Sequence, residues 1–127
     1  MSTWVIPCNE SKYDHRGAFS KLQCVDWRQS TNVEVGDIVY IYVGRPTGCI
    51  MYKTTATEVD IYHPNDDDRE FRLGEYEQHD GRYMTLKLLS KFPEGKFSRS
   101  ILMDNGLKTV QGPSKACDEL ISFLELE

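Results

Sequence analysis

The run Ile38-Val39-Tyr40-Ile41-Tyr42-Val43 constrains the fold more than any other part of the chain. Continuous β-branched and aromatic content predicts a strand covered on both faces. Gly36-Asp37 forms the turn that leads into it, and Arg45-Pro46-Thr47-Gly48 forms the turn that follows. Residues Cys49 to Tyr62, rich in Thr, Val and Ile, then read as the antiparallel partner strand. Such a hairpin is expected to begin a small β-barrel.

Around this hairpin the elements are short. Thr3 to Cys8 predicts a strand that Pro7 confines to an edge or ends, with Asn9 as a turn or cap residue. Ala18, Phe19 and Leu22 recur at helical spacing, which predicts a short helix over Asp14 to Leu22. Cys24 to Asn32 shows no sustained period and is expected to be a loop. Tyr83 to Leu89 predicts a strand with Lys87 outward, and Ser98 to Asn105 a helix closed by Gly106 in the left-handed conformation. Thr109-Val110-Gln111 would be a brief strand. Gly112-Pro113 would start a final helix to about Leu126, with Ala116, Leu120, Ile121 and Leu124 on its buried face.

A chain of 127 residues is long enough for one apolar core and too short for two, so one domain over residues 1–127 is expected. No apolar run approaches the ~20 residues of a membrane helix, and the N-terminus has no basic segment followed by an apolar one. Cys8, Cys24, Cys49 and Cys117 have no C-x-x-C spacing and are expected to be buried free thiols, which suits a reducing cytoplasm. The net charge of −5 argues against indiscriminate binding to phosphate backbones. The acidity is local, however: residues 54–80 hold two basic and nine acidic groups, while basic groups exceed acidic ones by one on either side. A modest, salt-sensitive nucleic-acid surface is therefore compatible with the rest of the chain.

Recognisable catalytic chemistry is missing. The sequence has no phosphate-binding loop, no dinucleotide fingerprint and no H-E-x-x-H metal motif. His15, His63 and His79 do not form one sequence cluster, and Asp66-Asp67-Asp68 lacks the spaced ligands of a calcium loop, so neither a metal nor another cofactor is expected. The acidic stretch Pro64 to Arg69 reads as a mobile, solvated loop.

What remains is recognition chemistry. Trp27, with Asn9 and the polar Gln29, Ser30, Thr31 and Asn32, offers an aromatic face beside amide and hydroxyl groups. That combination suits a planar polar ring, which stacks on the indole while the polar groups read its edge. A core tryptophan with polar neighbours capping a turn would present the same residues. Tyr40 and Tyr42 alternate with Ile41 and Val43, so one tyrosine face completes a cage or both pack in the core. Gln111 and Gly112 precede the expected last helix, whose free N–H groups suit a phosphate or a base carbonyl, or simply begin a helix. Arg16, Lys21 and Arg28 are candidate phosphate contacts.

The segments Trp4-Val5-Ile6-Pro7-Cys8-Asn9, Val25-Asp26-Trp27 and Val35-Gly36-Asp37 through Val43, in that order, resemble the EVE domain of the PUA-like superfamily. Asn105-Gly106-Leu107, Val110 to Pro113 and the amphipathic C-terminal segment are similar to the end of bacterial EVE-type proteins, with residues 62–81 the least typical part. The resemblance implies an α+β fold, a mixed β pseudo-barrel of five or six strands with flanking helices. It also implies a relationship to YTH readers of methylated adenine. Carried over to this sequence, it puts Trp27 in the aromatic cage, Asn9 on the base edge and Ser30 near the polar contact that follows the tryptophan.

The expected function is a non-catalytic module that binds DNA or RNA and recognises a modified, methylated base in an aromatic pocket. Catalysis, where needed, would come from a separately encoded nuclease or modification enzyme. The alternative is a PUA-like protein-interaction or small-metabolite module without nucleic-acid binding.

Overall fold

In a computed structural model of the protein, residues 2–29, 31–62 and 82–126 are described. The chain runs β1 (Thr3–Cys8), α1 (His15–Lys21), β2 (Cys24–Arg28), β3 (Ile38–Val43), β4 (Cys49–Ile61), β5 (Tyr83–Lys91), β6 (Phe97–Ser98), α2 (Arg99–Asp104), β7 (Ser114–Lys115) and α3 (Asp118–Leu126). The expected α+β class holds. The strands form one sheet in the order β2-β5-β4-β3-β1-β7, with β6 paired to the start of β4. Among the described residues this sheet does not close on itself: it has seven strands, and β2 and β7 stand at its two ends.

The central run is a strand covered on both faces. Val39, Ile41 and Val43 enter one core with Ile6, Phe19, Val25, Tyr52, Met84 and Leu86. The alternate residues Tyr40 and Tyr42 enter a second core with Val5, Ile50, Phe97, Leu102, Leu120 and Leu124. That division is the period of two of a β-strand. β3 pairs antiparallel with β4, and a bulge leaves Met51 without a partner between the Ile41–Tyr52 and Tyr42–Ile50 pairs. β1 runs parallel to β3 along its whole length, and β7 covers its other side only at Trp4 and Val5. Pro7 therefore sits where the outer side of β1 needs no N–H donor.

Local chemistry sets the helix ends. Asp14 caps α1 by accepting from the Gly17 N–H, and Ser98 caps α2 by accepting from the Ile101 N–H. α2 closes as expected at Gly106, whose φ of 108° suits glycine. The Leu107 N–H returns to the Leu102 carbonyl and the Gly106 N–H to that of Met103, a left-handed cap that buries Leu107 on Leu102. At the head of β3, the Gly36 N–H bonds the Ala56 carbonyl. The buried Asp37 carboxylate accepts from the Ser2 and Glu34 N–H groups and from the Trp4 indole N–H. Burial works to raise the Asp37 pKa, but these hydrogen bonds outweigh it and hold the carboxyl below its ordinary value.

Four expectations are corrected. Cys24 to Arg28 is a strand, because β5 supplies its hydrogen-bond ladder and its pattern of burial is masked by polar residues. Thr109-Val110-Gln111 is not a strand, and the last helix begins at Asp118 instead of Gly112-Pro113. The intervening Ser114-Lys115 is drawn onto β1, with the Ala116 N–H bonded to the Thr3 carbonyl. Of the four free cysteines, Cys8 and Cys49 are buried but Cys24 and Cys117 are exposed. The acidic stretch, His63 and His79 lie outside the described residues.

Candidate functional site

Trp27 lies on β2 opposite Met84 of β5, half-buried against the first core. Its indole meets Tyr13 edge-on at 5.4 Å between ring centres and lies roughly parallel to Phe19 at 6.5 Å. Phe19 packs on Tyr52 of β4 at 4.3 Å, and Tyr52 meets His15 edge-on at 5.5 Å. The position of α1 is thus what builds an aromatic row from the outer strand β2 to the middle of the sheet.

The row ends in a polar chain. His15 is only 2% exposed, with Nδ1 2.6 Å from the Tyr52 hydroxyl and Nε2 3.1 Å from Glu10 Oε2. The same carboxylate accepts from the Thr47 N–H at 3.2 Å and from its hydroxyl at 2.8 Å. An ionised carboxylate only accepts, so in the neutral imidazole Nε2 carries the proton and Nδ1 accepts from Tyr52. Burial pushes the Tyr52 phenol up to about 12 and keeps it a donor. For Glu10, burial alone would raise the pKa, but the bonds from His15 and Thr47 outweigh it and lower it. The resulting clasp ties the turn before α1 and α1 itself to β4 and to the β3–β4 turn.

The anticipated residues do not all gather at Trp27. Asn9 is exposed one residue before the Glu10 end of the row, and its Oδ1 accepts from the Ser11 N–H and hydroxyl. Gln29 turns inward: its amide N–H bonds the Thr31 and Val33 carbonyls and its Oε1 accepts from the Asp60 N–H. Both ends of that amide are engaged in holding the β2–β3 connection against the end of β4, where Asp60 has a φ of 56°. Tyr42 is in the second core, on the sheet face away from Trp27. Gln111 and Gly112 lie in the connection before β7, not at a helix start, and Asp118 and Glu119 occupy the first turn of α3. Ser30 is outside the described residues. Arg16 is exposed and paired with Glu94 at 3.1 Å, and Lys21 and Arg28 are also exposed.

Glu10, Tyr13, His15, Thr47 and Tyr52 were not anticipated from the sequence. One signal was present: His15 stands on the same helical stripe as Ala18, Phe19 and Leu22, where a polar residue needs buried partners.

No family model matches the chain, and no curated protein matches it in sequence. Solved structures do match in three dimensions. A protein from Pseudomonas putida is 14% identical with a TM-score of 0.67, covering 98% of each chain. ASCH from Zymomonas mobilis is 10% identical with a TM-score of 0.64, covering 98% of this chain and 94% of that one. The chain therefore has a PUA-like fold. Within that fold it resembles the ASCH- and EVE-type domains, as the ordered N-terminal segments imply. Human THYN1 protein, solved in complex with DNA containing 5-methylcytosine, is 11% identical with a TM-score of 0.62, covering 98% of this chain and 95% of its own. Among the described residues no helix is long and apolar enough to cross a membrane.

Proposed function

We propose that the protein is a non-catalytic nucleic-acid-binding module that accepts a modified, methylated base of DNA or RNA against the Trp27 indole. The observation that carries this reading is the half-buried Trp27 at the outer end of the row Tyr13, Phe19 and Tyr52. A fold shared with a protein solved on 5-methylcytosine DNA supports it. A base stacked on the indole gains ~1 to 3 kcal/mol. Burying its methyl group adds about 0.8 kcal/mol, so discrimination rests as much on hydrogen bonds to the base edge. Asn9 stands beside Glu10, at the end of the row away from Trp27, and Arg16, Lys21 and Arg28 stand on the exposed surface of α1 and β2 for flanking phosphates.

The test is a titration with oligonucleotides carrying methylated and unmodified cytosine or adenine. Trp27→Ala is expected to weaken binding by ~1 to 3 kcal/mol, and affinity is expected to fall with rising salt. Equal binding by Trp27→Ala, or affinity insensitive to salt, would sink the reading.

A further inference from the structure

On the other face of the sheet, a row of side chains with polar ends crosses three strands at the edge of the second core. Tyr40 of β3 stands directly opposite Lys53 of β4, and Lys53 directly opposite Ser90 of β5. Together with Phe92, Leu124 and Glu125 of α3 these residues line a cleft of ≈ 170 Å³. The Tyr40 ring packs on Phe92 at 6.3 Å, nearly parallel, and the Lys53 ammonium stands 5.9 Å from the Tyr40 ring centre.

The polar groups here are unspent. The Tyr40 residue is 1% exposed, and its hydroxyl, which has no hydrogen-bond partner among the described residues, is not sealed from the solvent of the cleft. Lys53 and Glu125 line the same cleft with opposite charges and are ion-paired neither to each other nor to any other described residue. Burial, and then the Glu125 charge, raise the Tyr40 pKa, so the phenol remains a donor.

We propose that this cleft is a second binding site, for a free apolar α-amino acid. Its carboxylate would take the Lys53 ammonium and the Tyr40 hydroxyl, its ammonium would take Glu125, and its side chain would lie on Phe92 and Leu124. Opposite charges held apart in one cleft match a zwitterion and leave a simple anion or cation half-satisfied. At ~30 Å³ of liquid volume per water, the cleft has room for about half a dozen waters, the scale of a small amino acid. The site is independent of Trp27, which belongs to the first core.

Amide chemical shifts of the full chain, titrated with millimolar leucine, N-acetyl-leucine and leucinamide, test the proposal. Leucine is expected to shift the amides of Lys53, Ser90, Phe92 and Glu125. Blocking either end of the ligand is expected to weaken binding about tenfold or more, the loss of one hydrogen-bonded charge. Lys53→Met should remove the preference over leucinamide and Glu125→Gln the preference over N-acetyl-leucine. Tyr40→Phe should weaken leucine about tenfold while retaining the ring. Unchanged amides outside the cleft in each variant show that the fold is intact. No shift at these four amides, shifts centred elsewhere, equal binding of the blocked ligands, or binding indifferent to Lys53→Met and Glu125→Gln would each overturn the proposal.

Discussion

Val39, Ile41 and Val43 look into a core crossed by hydrogen-bonded polar groups, while Tyr40 and Tyr42, one residue out of phase, look into a core closed by the apolar sides of α2 and α3. On the first side His15, Tyr52, Glu10 and Thr47 satisfy one another and fix α1, and with it Tyr13 and Phe19, against Trp27. On the second side Phe97, Leu102, Leu120 and Leu124 pack without such a chain, and the unpaired polar groups lie at the rim. One face therefore holds its aromatic surface in place by polar geometry, where a single lost partner matters. The other holds the helices by area, where lost volume matters.

The largest effect on stability is expected on the apolar side. Leu120→Ala, at a side chain 1% exposed, should cost ~2 to 5 kcal/mol in urea unfolding while leaving oligonucleotide binding by the remaining folded protein unchanged. Loss of binding in the folded fraction would break the separation between the two faces.

Tyr52→Phe comes next. It keeps the ring on Phe19 and removes the hydroxyl, leaving buried His15 Nδ1 without a partner, which should cost about 1 to 3 kcal/mol. Unlike Leu120→Ala, it should also loosen α1 and alter the environment of Trp27, read as faster amide exchange over His15 to Lys21. A variant as stable as the parent would show that the chain from Glu10 to Tyr52 does not hold α1.

The smallest effect is the pH dependence. Glu10 and Asp37 have folded pKa values lowered by hydrogen bonds that outweigh their burial. Groups lowered on folding contribute stability that is complete above the ordinary carboxyl value of about 4. It is lost as the pH falls through the lower folded values. Asp37→Asn should flatten that loss in urea midpoints measured from neutral to acid pH, and an unchanged acid slope would contradict the role assigned to Asp37.

The sequence revealed what is local. The β3–β4 hairpin was legible because its residues and turns are contiguous, and α2 because Ser98 and Gly106 mark its ends. β2 was not, since its partner β5 lies far along the chain and Trp27 meets Met84 only after folding. The end of the chain misled because Gly112-Pro113 has helix-start chemistry, whereas Ser114-Lys115 pairs with the free side of β1. At the candidate site Trp27 was legible as an aromatic among polar residues, but its surroundings were not. Tyr52 is 37 residues from His15, and Gln29 looked available until the folded chain engaged its amide with Val33 and Asp60. Tyr42 was separated from Trp27 by the alternation of β3, which sends adjacent residues to opposite faces.

The chain holds two tryptophans, and they serve as site and control: Trp4 donates its indole N–H to Asp37, while Trp27 is the proposed stacking surface. Fluorine NMR of protein labelled with 5-fluorotryptophan, assigned with Trp4→Phe and Trp27→Phe, therefore reads the central claim directly. Adding an oligonucleotide that carries 5-methylcytosine or methylated adenine should shift the Trp27 signal and leave that of Trp4 in place. If neither signal moves with any methylated oligonucleotide, or only that of Trp4 does, Trp27 is not the surface on which a base is read.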